Sequence, residues 1–337
     1  LKPVSVRIGW KLIEKKIISL AFMTSIPTLE DIKLAAEKIR PYVRRTPVFT
    51  SQTFNNWTGS KIFFKTENFQ KGGAFKFRGA CNTVLSLTDE EKKMGVTTHS
   101  SGNHAQALAL VSKMVGIKAY IVMPSNAPKV KKYAVLGYGA EVIECEPTLQ
   151  AREANVKKII AEKGSVLVHP YNDYRIIAGQ ATCAMEFIEE IRDLEIMVAP
   201  VGGGGLLAGT SLTCNYISDK IDVFAGEPEG ANDAFLSLQK GEIVPSLNPD
   251  TIADGLLTSL GDKTFPIIQK HVTEIITVSD NEILDAMKKV WERMKIIIEP
   301  SSAVPVAAVL KNPDKFTGKN VGIILSGGNV DLENIRF

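Results

Sequence analysis

Lys76 stands between two phenylalanines in the stretch Gly72-Gly73-Ala74-Phe75-Lys76-Phe77-Arg78-Gly79-Ala80. Apolar surroundings penalise a lysine's charged form, and the neutral amine that results is a nucleophile toward carbonyls, the chemistry of Schiff bases. Three other segments have residue types suited to binding. Ser100-Ser101-Gly102-Asn103-His104 offers hydroxyls and an amide, Gly202-Gly203-Gly204-Gly205 offers bare backbone, and Ser326-Gly327-Gly328-Asn329 offers both. Glycines opening a helix let backbone N–H groups approach an anion, and the helix dipole adds to the attraction. One Gly-rich turn is equally well read as a tight strand-to-helix connection. Four glycines in a row are costly to order, which favours a binding role. Their spacing is neither GxGxxG nor GxxxxGK[ST], so dinucleotide and nucleoside-triphosphate cradles lose support and a phosphate cup for another ligand remains.

These segments need a scaffold that brings distant turns together. Apolar runs at 62–65, 95–98, 118–123, 141–143, 166–169, 196–201, 223–226, 275–278 and 321–325 read as strands. Between them, 103–115, 149–162, 177–191, 281–294 and 302–310 have helical periodicity. Such alternation predicts an α/β fold, with parallel sheets covered by helices and ligands bound at the carboxyl ends of strands. The serine, tetraglycine and Ser326 segments all follow predicted strands. A lysine nucleophile together with a phosphate cup points to pyridoxal phosphate.

The 337 residues suffice for about two domains, and 45% apolar with 23% charged residues is an ordinary globular composition. The net charge of +3 argues against a nucleic-acid or other polyanion binder. Residues 1–22 hold Lys2, Arg7, Lys11, Lys15 and Lys16 against Glu14, so the remainder is nearly neutral. This segment reads as an appended N-terminal extension: upstream vector or untranslated sequence by preference, with a targeting presequence or a native arm as alternatives. Thr28 and Asp31 then mark a capped helix start. Cys81, Cys145, Cys183 and Cys214 are far apart, which argues against a disulfide framework or zinc site and for a reducing, cytoplasmic setting. No apolar run approaches the roughly 20 residues of a membrane span. His99, His104 and His169 lack acidic residues at ligand spacing and read as structural.

Taken together, Ala74 to Ala80, His99 to His104, the tetraglycine loop, Ile252-Ala253-Asp254-Gly255 and Leu325 to Asn329 resemble the fold-type II pyridoxal-phosphate enzymes. Within these the chain is similar to the serine racemase/threonine dehydratase group, over about residues 27–337. The resemblance implies a two-domain, tryptophan synthase β-like fold. Residues 23–88 and 173–337 would form a large cofactor-binding domain, and 89–172 a small mobile one. It also implies a homodimer acting on small amino acids.

Residue by residue, the resemblance makes Lys76 the cofactor-bearing lysine and Phe75 a packing partner of the ring. Asn103 is expected on the ring hydroxyl, Gly202, Gly203, Gly204, Gly205 and Leu206 on the phosphate, and Ser326 on the pyridine nitrogen. Gly255, Tyr171 and Glu299 are expected nearby. Racemisation needs proton exchange on both faces of the α-carbon, roles that Lys76 and Ser101 can fill. Ser100-Ser101 matches the racemases, whereas dehydratases commonly have Ser-Ala; Ser101 as a mere shaper of the turn is the alternative. Elimination competes once the α-proton is removed, so the implied function is serine racemisation with serine/threonine dehydratase activity. 3-Hydroxyaspartate or L-threonine ammonia-lyase is the alternative. A non-catalytic ligand sensor is disfavoured by the retained lysine. Arg152 aligns with a substrate-gating arginine and reads equally as a helix-surface residue. The carboxylates of Glu227 and Asp233 and the carbonyl of Ala231 align with a divalent-cation loop, Mg²⁺ first and Mn²⁺ or Ca²⁺ as alternatives. Ser51, Lys71, Gln106, Tyr138, Lys295 and Asn329 resemble contacts for an ATP effector.

Overall fold

A computed structural model describes residues 25–127 and 129–332. The extension expected at 1–22 lies outside the described residues. Helix α1 (Leu29–Ile39) opens on the expected capping box, with Thr28 Oγ1 accepting the Asp31 N–H and the Asp31 carboxylate accepting the Thr28 N–H. There follow β1 (Val48–Thr50), α2 (Gln52–Thr58), β2 (Lys61–Thr66), α3 (Lys76–Leu85) and α4 (Asp89–Met94). The middle of the chain forms β3 (Val96–His99), α5 (Asn103–Val115), β4 (Ala119–Pro124), α6 (Lys129–Gly137), β5 (Glu141–Cys145), α7 (Leu149–Lys163) and β6 (Val166–Leu167). After α8 (Tyr174–Glu190) come β7 (Ile196–Pro200), α9 (Gly205–Ile217), β8 (Asp222–Pro228), α10 (Asp233–Lys240) and α11 (Phe265–His271). The last elements are β9 (Glu274–Val278), α12 (Asp280–Met294), α13 (Pro300–Lys311) and β10 (Asn320–Leu325).

The strands build two sheets, ordered β1-β2-β10-β7-β8-β9 and β5-β4-β3-β6. All their pairings are parallel except β1 on β2, which is antiparallel. The α/β fold is therefore the one expected. The chain leaves the six-stranded sheet after β2 and returns to it at β7. Parallel strands buried on both faces become continuous apolar runs, as in β7, whose five residues are all buried. Met197 and Ala199 pack with Ile177, Leu207 and Leu212 of α8 and α9 on one face. Val198, Ile323 and Leu325 pack with Met287, Val304 and Ala307 of α12 and α13 on the other.

The short helices α2, α4, α6, α10 and α11 were not read from the sequence, and three further elements differ from expectation. Strand β1 is a three-residue edge, too short for a periodic signal. The predicted 166–169 strand stops at Leu167, because the His169 ring turns back and its Nδ1 accepts the N–H groups of Tyr171 and Asn172 at 3.2 and 2.9 Å. Helix α3 was not evident, since Gly79 interrupts its pattern. That glycine marks the crossing of α8, where a Cβ on Gly179 would come within 2.6 Å of the Gly79 Cα.

Candidate active site

Lys76 is the first residue of α3, and its Nζ donates to the Pro170 carbonyl at 2.9 Å. The ammonium lies 5.2 Å from the centre of the Phe75 ring. Burial lowers its pKa to about 8, against a smaller opposing pull from Glu299. The start of α3 is fixed to the end of β10 by Phe75 N–H on the Ser326 carbonyl at 3.0 Å and by a bridge between Ala74 and Gly327. Lys76 and buried Ser326, 250 positions apart in sequence, are thus carried on directly joined segments. Pro170 is a site residue that the sequence did not suggest, because a backbone carbonyl carries no residue-type signature.

Asn103 opens α5, and its amide is fully oriented. Nδ2 donates to Glu299 Oε1 at 2.7 Å, and Oδ1 accepts from Asn329 Nδ2 at 2.9 Å. Glu299 is 2% exposed, and its Oε2 has no hydrogen-bond partner among the described residues. Burial raises its pKa to about 7, helped by Asp254 and opposed by Lys131 and Asn103. His104 is buried with its Nε2 on the Val168 carbonyl at 3.0 Å, which assigns the proton to Nε2. Burial holds His104 at about 3 and His169 at about 4, so both imidazoles are neutral and structural.

The tetraglycine segment follows β7, and Gly204, with φ of +85°, caps α9. None of its four positions has room for a side chain. A Cβ would meet the Leu256 backbone at Gly202 (2.8 Å), the Tyr171 ring at Gly203 (2.3 Å), Ile268 at Gly204 (2.7 Å) and Tyr171 at Gly205 (3.0 Å). The first amides of α9, including that of buried Leu206, have no intrahelical partner and form an anion-binding end. Gly255, whose N–H donates to Ser301 Oγ at 2.9 Å, adjoins the cup through its carbonyl, which lies 3.4 Å from the Gly202 Cβ position. A bare backbone cup, an amine with lowered proton affinity and an orphaned carboxylate oxygen fit pyridoxal phosphate.

Ser100 and Ser101 lie partly buried on the β3–α5 loop, where Ser100 Oγ accepts the Gly102 N–H at 3.2 Å. Arg152 is in the first turn of α7, its Nε on the Thr148 carbonyl at 3.3 Å, and its charge helps to lower the pKa of His99 behind burial. Glu227, at the end of β8, spans the N-terminus of α10, its oxygens accepting the Ala234 and Phe235 N–H groups at 2.8 Å. Asp233 is 4% exposed with no well-formed side-chain partner, and Ala231 is buried in the 3₁₀ turn between them. Burial raises Glu227 to about 8 and Asp233 to about 6. Of the six residues matched to an effector site, Asn329 bonds Asn103 and the Gly72 carbonyl, and Lys71 opens the turn at 71–73. Gln106 is buried in α5, while Ser51 caps α2, Lys295 ends α12 and Tyr138 follows α6.

Residues 39–327 match the family described as "Pyridoxal-phosphate dependent enzyme". A serine racemase of Dictyostelium discoideum is 52% identical over 91% of this chain and 96% of its own length. A beta-hydroxyaspartate dehydratase of Paracoccus denitrificans is 51% identical over 93% and 99%. The structure of maize serine racemase superposes with a TM-score of 0.90 at 42% identity, covering 92% of this chain and 95% of that one. Agreement of this extent in both sequence and backbone leaves one conclusion: the chain belongs to the pyridoxal-phosphate dependent enzymes.

Proposed function

We propose that this enzyme interconverts L- and D-serine and also eliminates the β-hydroxyl of serine or threonine to give a keto acid and ammonia. The carrying observation is the setting of Lys76, whose Nζ donates to the Pro170 carbonyl while the next residue, Tyr171, lies against Gly203 and Gly205 of the glycine cup. When bound, pyridoxal phosphate supplies a carbonyl for amines and a ring that stabilises charge at the α-carbon. Gly202 to Gly205 with Leu206 would hold its phosphate, Asn103 the ring hydroxyl and Ser326 the ring nitrogen, with Phe75, Tyr171, Gly255 and Glu299 around it. Ser326 presents a neutral hydroxyl, which does not force that nitrogen to stay protonated and so suits prompt reprotonation or elimination. Lys76 Nζ exchanges the α-proton on one face and Ser101 Oγ on the other. Arg152 attracts the substrate carboxylate.

The second reading is an ammonia-lyase acting on 3-hydroxyaspartate, supported by the Paracoccus dehydratase relative at 51% identity. Either reading includes a divalent cation on Asp233, Glu227 and Ala231, with Mg²⁺ preferred, since both Asp233 oxygens are buried without hydrogen-bond partners among the described residues and a cation would keep the carboxylates ionised there. ATP acting at Ser51, Lys71, Gln106, Tyr138, Lys295 and Asn329, a homodimer, a mobile lobe at 89–172 and a cytoplasmic location complete the proposal.

The deciding experiment supplies L-serine, D-serine, L-threonine and 3-hydroxyaspartate and measures keto acid and enantiomer together. D-Serine formed from L-serine supports the racemase; turnover confined to 3-hydroxyaspartate replaces it with the lyase. Cofactor-loaded protein should have a visible band that borohydride bleaches and Lys76→Ala lacks. A colourless wild type would defeat both readings.

A further inference from the structure

Helix α3 has no side chain capping its start, because Phe75 occupies the cap position and offers no acceptor. The turn carrying Lys76 must be held by other means. Ser326 and Gly327 hold one side of it. On the other lies Arg78, wholly buried and two residues beyond the lysine. All five of its N–H groups are engaged. Nε and Nη2 grip the two oxygens of Glu67 at 2.8 Å each, while Nη1 and Nη2 grip those of Glu186 at 2.8 and 2.7 Å. Nη1 also donates to Thr182 Oγ1 at 3.2 Å. Lys65, likewise buried, bonds Glu186 at 2.9 Å and the Thr46 carbonyl at 2.7 Å, and Thr46 Oγ1 donates to Glu67 at 2.5 Å.

Two cations and two carboxylates, buried apart from a partly exposed Glu186, thus form a neutral quartet that ties α3 to α8, β2 and the turn at 67–69. Burying four charges is a poor route to stability, since apolar packing of equal volume does as well or better. A planar guanidinium forked on two carboxylates does, however, permit essentially one orientation.

We propose that Arg78 is a positioning residue for Lys76, its double fork fixing the first turn of α3 so that the amine stays in its slot against Phe75 and the Pro170 carbonyl. The functional consequence rests on the cofactor reading above. Arg78→Lys keeps the charge and removes both forks. Its test is competitive acetylation of Lys76 in the full chain, quantified by peptide mass spectrometry from pH 6 to 11, beside the rate of pyridoxal-phosphate capture. The wild-type midpoint should lie near 8. In Arg78→Lys it should move at least one unit toward the ordinary lysine value of about 10.4, slowing capture about tenfold at neutral pH. Glu189→Gln, which removes only the exposed Arg45 pair on the same helix, should leave both unchanged.

A folded Arg78→Lys protein that melts lower yet keeps the wild-type midpoint and capture rate would overturn the proposal, because a merely structural role predicts that result. Should Arg78→Lys fail to fold, Glu67→Gln and Glu186→Gln each break one of the two forks, and an unchanged Lys76 midpoint in both is equally decisive. A wild type that captures no cofactor defeats the cofactor reading alone, and the acetylation profile still decides the role of Arg78.

Discussion

At the residue scale, burial acts in opposite senses on the two ionisable groups of the site, lowering Lys76 to about 8 and raising Glu299 to about 7. The unfolded Glu299 carboxyl releases its proton near pH 4.3, and the folded one holds it up to about 7. The native state therefore binds more protons in that window, and stability falls as pH rises through it, by roughly 4 kcal/mol at most. Glu299→Gln in the absence of cofactor should raise the melting temperature by about 5 °C at pH 8 and change it little at pH 5. Equal losses at both pH values, by scanning calorimetry, would mean that the carboxylate is charged and stabilising. The two-face assignment has its own check. Ser101→Ala should abolish D-serine formation from L-serine while leaving pyruvate production within severalfold, and equal loss of both activities would refute it. Lys76 and Ser101 are candidates named from type and motif alone. The partners of Glu299 were not legible, because its shift arises from burial and from Asp254, Lys131 and Asn103, which only folding brings near.

At the element scale, the glycine cup proposed for the phosphate is a property of α9 and of what crowds it. Gly203 faces the Tyr171 ring, so even one methyl group there must displace the ring or the loop. Gly203→Ala should weaken cofactor affinity at least tenfold, measured by equilibrium dialysis, while secondary structure by circular dichroism is retained. Unchanged affinity would mean that the 202–205 backbone does not bind the phosphate. Helix α5 was legible end to end and α12 to within one residue, since helical periodicity signals both directly. Helix α3 was hidden, because Gly79 is required by its crossing with α8, and that requirement overrides helix propensity.

At the scale of the whole molecule, strands from both ends of the chain meet in one sheet, β10 pairing with β2 and β7. The loop from Glu227 to Asp233 follows β8 in that sheet, both Asp233 oxygens are buried without hydrogen-bond partners, and among the described residues no group of three or more His, Cys, Asp or Glu gathers as a metal site. If Mg²⁺ compensates the loop's carboxylates, chelator should lower the melting temperature by several degrees and added Mg²⁺ restore it, with Asp233→Asn abolishing the response. Absence of any response would reduce the loop to a cap for α10. Among the described residues no helix is long and apolar enough to cross a membrane, in keeping with the sequence. The sequence by itself determined the strand–helix alternation and the family and singled out the candidate amine and the glycine cup, because side-chain chemistry and local periodicity are written residue by residue. Only the tertiary structure decided that the Pro170 carbonyl holds Lys76 and that Glu67 and Glu186 converge on Arg78. Backbone groups are alike at every position, and charges 119 positions apart meet only when packing of α3, α8 and β2 leaves them no water.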